Sequence, residues 1–124
     1  MLRTARIVDA EYLEDNFDEE DLAEAGIYTQ KYHEVTTTSF ACGSATVEAY
    51  DSATVKAYGS ATVEAYGSAT VEAYDSATVE AYENSYVEDL TGNIRPQSGY
   101  AVIKDYYNHK IYIKKGRYQI IEVD

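Results

Sequence analysis

Between residues 43 and 82, apolar and polar positions alternate under a fixed period of eight. The phrase GSATVEAY is followed by DSATVKAY, GSATVEAY, GSATVEAY and DSATVEAY, and a degenerate sixth copy, ENSYVEDL, ends at Leu90. Each octad carries Ala-x-Val-x-Ala, as at Ala45, Val47 and Ala49. Apolar residues two apart share one face of an extended strand. Thr46, Glu48 and Tyr50 then face the other way, and Thr, Val and Tyr favour strands. A helix does not fit. Eight residues at 3.6 per turn rotate through roughly 800°, so the apolar set drifts by about 80° per copy. The Gly-Ser or Asp-Ser pair between copies supplies a turn.

Two β arrangements compete. A two-residue Gly-Ser hairpin would give an antiparallel meander. The Ala-Val-Ala face would then flip from strand to strand, and neither side of the sheet could form a core. A parallel β-solenoid keeps one inside and one outside in every copy, which a fixed short repeat favours. Eight extended residues span roughly 26 Å, one side of a flattened coil. The expectation is two octads per 16-residue coil, with a three-sided coil of 24 residues as the alternative. The interior is then Ala45, Val47 and Ala49 and their equivalents through Ala77, Val79 and Ala81. In the sixth copy Asp89 stands where an inward alanine belongs, which reads as the end of the stack.

The flanks differ from the repeat. Residues 1–42 read as an acidic N-terminal cap. Residues 9–26, DAEYLEDNFDEEDLAEAG, suit a short helix with a stripe of Leu13, Phe17 and Leu22 that covers the open end of the solenoid. Residues 27–40 read as extended. Residues 91–124 read as a C-terminal antiparallel β-meander that caps the stack or dimerises. Its strands are residues 100–105, 110–114 and 117–123, with a linker at Arg95-Pro96. The fold class is therefore mainly β: a short parallel β-solenoid over residues 43–90, with a helical cap before it and a meander after it.

Charge changes this picture. The chain has 22 acidic and 10 basic residues, a net charge of −12. Residues 1–42, 43–90 and 91–124 carry net charges of −7, −8 and +3. The run Asp18-Glu19-Glu20-Asp21 adds to the acidic body, and Lys104, Lys110, Lys114, Lys115 and Arg117 make the C-terminal part mildly basic. That basic set lacks a nucleic-acid-binding motif, so no direct nucleic-acid contact is expected. Cys42 is the single cysteine and cannot form an intrachain disulfide. It reads as a small residue at the solenoid mouth. The first 17 residues lack the apolar run of a signal peptide, and no segment is long enough to span a membrane, so the cytoplasm of a bacterial host is the expected location.

No catalytic constellation is present. His33 and His109 are the only histidines, and neither has a neighbour at metal-binding spacing. The serines sit in repeat turns. The chain reads as a non-enzyme without a metal or cofactor.

The repeat resembles the short-period bacterial β-solenoids, among them the calcium-binding RTX nonapeptide rolls, over residues 43–90. Gly-Ser replaces the RTX glycine run and the calcium-binding Asp has no counterpart, so the resemblance implies a backbone plan and no calcium. In charge and size the chain resembles small acidic inhibitors encoded by phages and mobile elements. Pentapeptide-repeat gyrase inhibitors, anti-CRISPR proteins and anti-restriction proteins belong to that class. The pentapeptide repeat itself is absent, so the likeness is one of strategy.

Under the two-sided coil, one face shows Glu48, Glu64 and Glu80 beside Tyr50, Tyr66 and Tyr82. The other shows Lys56, Glu72 and Glu88, with Lys56 expected to pair with Glu72. Stacked like charges destabilise a sheet. The first face is therefore the candidate partner-binding site. Its expected partner is a basic host nucleic-acid-binding protein, blocked by mimicry of its nucleic acid. The alternative is a structural, assembly or surface-adhesion module whose glutamates serve only solubility. A homodimer through C-terminal strand edges and tyrosines is compatible with both readings.

Overall fold

The computed structural model describes residues 9–124. Two short helices, α1 (Ala10–Asn16) and α2 (Glu19–Glu24), precede the strands. Three strands lie before the octads: β1 (Ile27–Tyr28), β2 (Tyr32–Val35) and β3 (Ser39–Ala41). The octads supply β4 (Thr46–Ala49), β5 (Thr54–Ala57), β6 (Thr62–Ala65), β7 (Thr70–Ala73), β8 (Thr78–Ala81) and β9 (Tyr86–Asp89). Two more follow, β10 (Val102–Asp105) and β11 (Lys110–Ile113).

The octad strands pair in parallel with the strand two further along the chain. Val47 is in register with Val63 and Val63 with Val79, while Val55 is in register with Val71. The offset is sixteen residues, so each coil has two sides and the 24-residue alternative is excluded. One sheet has the order β2-β4-β6-β8, the other β1-β3-β5-β7-β9-β10-β11. The result is a β-solenoid of about 5 turns. Val47, Val55, Val63 and Val71 are fully buried between the sheets with their flanking alanines. Each buried valine contributes roughly 1.5–3 kcal/mol and the alanines much less, so backbone pairing carries a large share of the order. That pairing continues around the corners: the Tyr66 N–H donates to Ala49 O at 2.8 Å and the Ser68 N–H to Asp51 O at 2.8 Å.

The first residue of each octad takes a left-handed backbone, with φ of 57° at Asp51, 60° at Gly67 and 55° at Asp75 and Glu83. Glycine adopts this region freely and Asp tolerates it. The acidic residues here gain a second role. Asp75 Oδ2 accepts from the Gly59 N–H at 3.1 Å and Glu83 Oε1 from the Gly67 N–H at 2.7 Å, each reaching back one coil.

The stack is longer than the repeat. Ahead of it, His33 and Val35 of β2 are in register with Val47 and Ala49, and β1 and β3 add to the other sheet. Behind it, Asp89 does not end the stack. β10 pairs in parallel with β9, and Asp105 falls in register with Asp89. Asp89 is fully buried and points inward, where its carboxylate organises the following loop. Oδ1 accepts from Thr91 N at 2.7 Å, Thr91 Oγ1 at 2.6 Å and Gly92 N at 3.1 Å, and Oδ2 from Ile94 N at 3.2 Å. Asp105 acts likewise on Tyr107 and Asn108, and those hydrogen bonds, the Asn108 amide first, hold its carboxyl below the usual range. Arg95 and Pro96 belong to the last coil rather than to a linker. Pro96 bridges Ala81 and, lacking an N–H, ends that sheet.

A tyrosine packs against the core at each end, Tyr28 at the first coil and Tyr112 at the last. Tyr28 and His33 stack at 4.2 Å over the first coil, and Arg95 lies 3.9 Å from the Tyr112 ring at the last. The expected single helix over residues 9–26 is two helices. Asp9 and Asp18 each cap one by accepting a backbone N–H, and Phe17, between them, is exposed rather than part of the stripe. α2 lies against the first coil, held by a 2.9 Å Lys31–Glu19 ion pair. α1 runs down the flank instead of covering the end. Its Leu13 joins a buried cluster with Leu22, Ile27, Cys42 and Tyr58, against which Phe40 and Tyr74 pack. Residues 1–8 of the expected cap lie outside the described residues. At the other terminus β11 is antiparallel to β10, but residues 117–123 form no strand, so the three-stranded meander is a two-stranded hairpin.

Candidate interaction face

Alternation within β4, β6 and β8 aims Thr, Glu and the following Tyr away from the core, and the sixteen-residue register stacks like on like. The structure brings all six candidate residues onto one face. Glu48, Glu64 and Glu80 form one column. Tyr50, Tyr66 and Tyr82 form the next, with ring centroids 5.2 and 5.0 Å apart and planes within 11° and 8°. β2 lengthens the face. Glu34 is in register with Glu48, so four carboxylates stand in line, and Tyr32 stands beside them in register with Thr46. Glu34 and Tyr32 were missed because YHEV lacks the octad phrase. Its alternation of outward Tyr and Glu around an inward His was the available signal.

The two columns are joined. Each tyrosine hydroxyl donates to the glutamate two residues before it: Tyr66 to Glu64 at 3.3 Å, Tyr82 to Glu80 at 2.9 Å, and Tyr50 to Glu48. Donation to Glu48 pushes the Tyr50 hydroxyl up to about 12, and burial with the nearby carboxylates does the same to Tyr66. The phenols therefore stay neutral and act as donors. The carboxylates divide. The hydroxyls of Tyr32 and Tyr50 hold Glu48 below its ordinary value, whereas partial burial and then the charge of Glu48 push Glu64 above it.

The opposite face has the same backbone and a different charge. Its column reads Phe40, Lys56, Glu72, Glu88 and Lys104. The expected Lys56–Glu72 ion pair does not form. Lys56 Nζ instead lies 5.9 Å from the centre of the Phe40 ring. Tyr58 and Tyr74 stack at 4.8 Å as on the first face, but Tyr58 is buried in a cluster with Leu13 of α1 and is 6% exposed, while Tyr74 stays half-buried at the edge of that cluster. The chain's own helix thus takes up the Tyr58 end of this ladder, while all three tyrosines of the other ladder stay half-exposed beside four carboxylates.

The remaining chemistry is sparse. Among the described residues no group of His, Cys, Asp or Glu is placed to hold a metal ion. Cys42 is buried, and desolvation raises its thiol to about 11, which leaves it a poor nucleophile. No helix among the described residues is long and apolar enough to cross a membrane. Comparison of the chain with protein-family profiles, with curated proteins and with solved structures finds no match.

Proposed function

We propose that this chain is a non-enzymatic acidic binding protein whose glutamate–tyrosine face docks in a basic nucleic-acid channel of a host protein and blocks it by mimicry. Small acidic inhibitors of the anti-CRISPR class use the same strategy. The observation that carries the reading is the contrast between two faces on one backbone. Strand spacing is about 4.8 Å, and carboxylates at that separation repel by roughly 1 kcal/mol per adjacent pair even in water. The fold does not require this repulsion, because the equivalent column across the core holds Lys56 and Lys104 beside its two glutamates. The unbalanced column also lies on the face that the helices leave open. Hydroxyl donors hold its carboxylates in place, so little side-chain order is lost on docking.

The competing reading is a structural module. It draws on the Tyr74–Glu72 hydrogen bond of 2.6 Å, which places the same pairing on the other face, where no partner is invoked.

A positional test separates the two. The variant E48K/E64K/E80K and the control E14K/E20K/E24K, on the exposed surface of the helices, each change the net charge by six units. Binding to basic proteins from a host lysate, and to a panel of purified basic nucleic-acid-binding proteins, is measured across a salt series. Exposed ion pairs are worth about 1 kcal/mol each, so losing three weakens binding by roughly a hundredfold. The control should change it far less. Equal loss in both variants, or no salt-sensitive partner at low salt, overturns the mimic.

A further inference from the structure

The C-terminal hairpin ends on an edge without a strand and a strand without an edge. β11 is the last strand of its sheet, and its outer side has no partner among the described residues. Residues 117–123, RYQIIEV, carry the β-branched and aromatic content of a strand yet form none and are exposed. Of the eleven exposed large apolar side chains among the described residues, seven fall between residues 106 and 123; Ile111 is 63% exposed, Ile120 71% and Ile121 69%. Such a concentration, next to an open edge, marks an interaction surface.

We propose that two copies of this chain associate by exchanging these segments, with residues 118–122 of each copy pairing antiparallel on β11 of the other. Complementarity identifies the occupant. If Lys110 faces Glu122, the antiparallel register also sets Ile111 against Ile121 and Tyr112 against Ile120, with Lys114 beside Tyr118. Opposite charges and apolar side chains then match across the same pair of strands. Alternation puts Ile120 on the side of Tyr112, which closes the end of the core, and Ile121 on the outer side with Ile111. Five extended residues span about 17 Å, enough to cover the four residues of β11.

The chain holds its own tail away from its own edge. The Tyr118 hydroxyl donates to the Tyr100 carbonyl at 2.5 Å, the two rings meet edge-on at 5.6 Å, and Arg117 lies 5.8 Å from the centre of the Tyr100 ring. Each copy therefore offers both halves of the pairing and satisfies neither. Reciprocal exchange closes the pair with twofold symmetry and uses both tails and both β11 edges, so no unpaired tail is left to recruit a third copy.

The test uses the full chain. Light scattering should give twice the 13.8 kDa chain mass at micromolar concentration. Single variants Ile111→Cys and Ile121→Cys are mixed, allowed to exchange and oxidised. A disulfide joining the two different chains is expected, because directly opposed residues bring their Cβ atoms within bonding reach. Buried Cys42 makes the unmodified chain the blank. Ile121→Lys should raise the dimer dissociation constant at least about tenfold, since it replaces the apolar contact with Ile111 by a charge. A monomer at every concentration overturns the proposal. So does an intrachain disulfide in the monomeric I111C/I121C variant, which would show the segment closing on its own edge.

Discussion

The sixth octad departs from the repeat at two inward positions, and the two should respond oppositely to alanine. Asp89 and Ser85 both replace an inward alanine of the octad, and both are buried. Asp89 is satisfied. Its carboxylate accepts four hydrogen bonds from the Thr91–Ile94 loop, one of them from the N–H of buried Ile94. Ser85 is not, and its hydroxyl has no partner. Hydrogen bonds to a charged group are worth about 1.5–3 kcal/mol each, but they share one carboxylate and part of the loop can rebond to water. Asp89→Ala strands the Ile94 N–H and frees the loop that carries Arg95 to the end of the core. A loss of about 3–5 kcal/mol follows, a large part of the 5–15 kcal/mol of an ordinary domain. Asp89→Asn keeps the three bonds to Oδ1 but sets an amide donor against the Ile94 N–H, for about 1–3 kcal/mol. Ser85→Ala removes an unsatisfied polar atom and should stabilise by about 1 kcal/mol. Urea unfolding followed by circular dichroism gives the midpoints and slopes. If Asp89→Ala unfolds at the same midpoint as the unmodified chain, the carboxylate does not organise the last coil. If Ser85→Ala is as damaging as Asp89→Ala, hydrogen bonding is not what separates them.

Deleting residues 59–74 removes one coil and keeps every later residue on its own side, so a shorter folded protein is expected. Deleting only residues 59–66 moves the sixth octad onto the wrong sheet and should lower the melting temperature far more; equal tolerance would contradict the sixteen-residue coil. The pH response of Glu64 follows from the direction of its shift. The folded state raises its carboxyl above the ordinary 4.5, so the folded chain binds that proton more tightly and stability falls as pH rises through this range. Glu64→Gln should therefore melt higher than the unmodified chain at pH 7, with the advantage gone below about pH 4, where Glu64 is protonated in both states. A gain that persists unchanged in acid would place its origin outside the ladder.

Most of the coil was legible in the sequence, and so was the candidate face. Ala-x-Val-x-Ala at a period of eight puts valine inside in every copy. An even period leaves no residue to change sides, so Glu48, Glu64 and Glu80 had to share a face once two octads made a turn. Non-local pairing decided the rest. β1, β2, β3 and β10 join the stack without the octad phrase, because an existing sheet edge offers backbone partners to any extended segment and asks of the sequence only a tolerable inward side chain. Asp89 looked like a terminator because an inward carboxylate has no place in an apolar core. Its partners lie in a loop that folds back only when the last coil forms. The break at Phe17 depends on Asp18 capping a second helix. The difference between the two tyrosine ladders depends on α1, whose Leu13 covers Tyr58 and leaves Tyr50, Tyr66 and Tyr82 open. A local pattern fixes which way a side chain points from its strand, whereas what comes to lie against it is set by contacts between residues far apart in the chain.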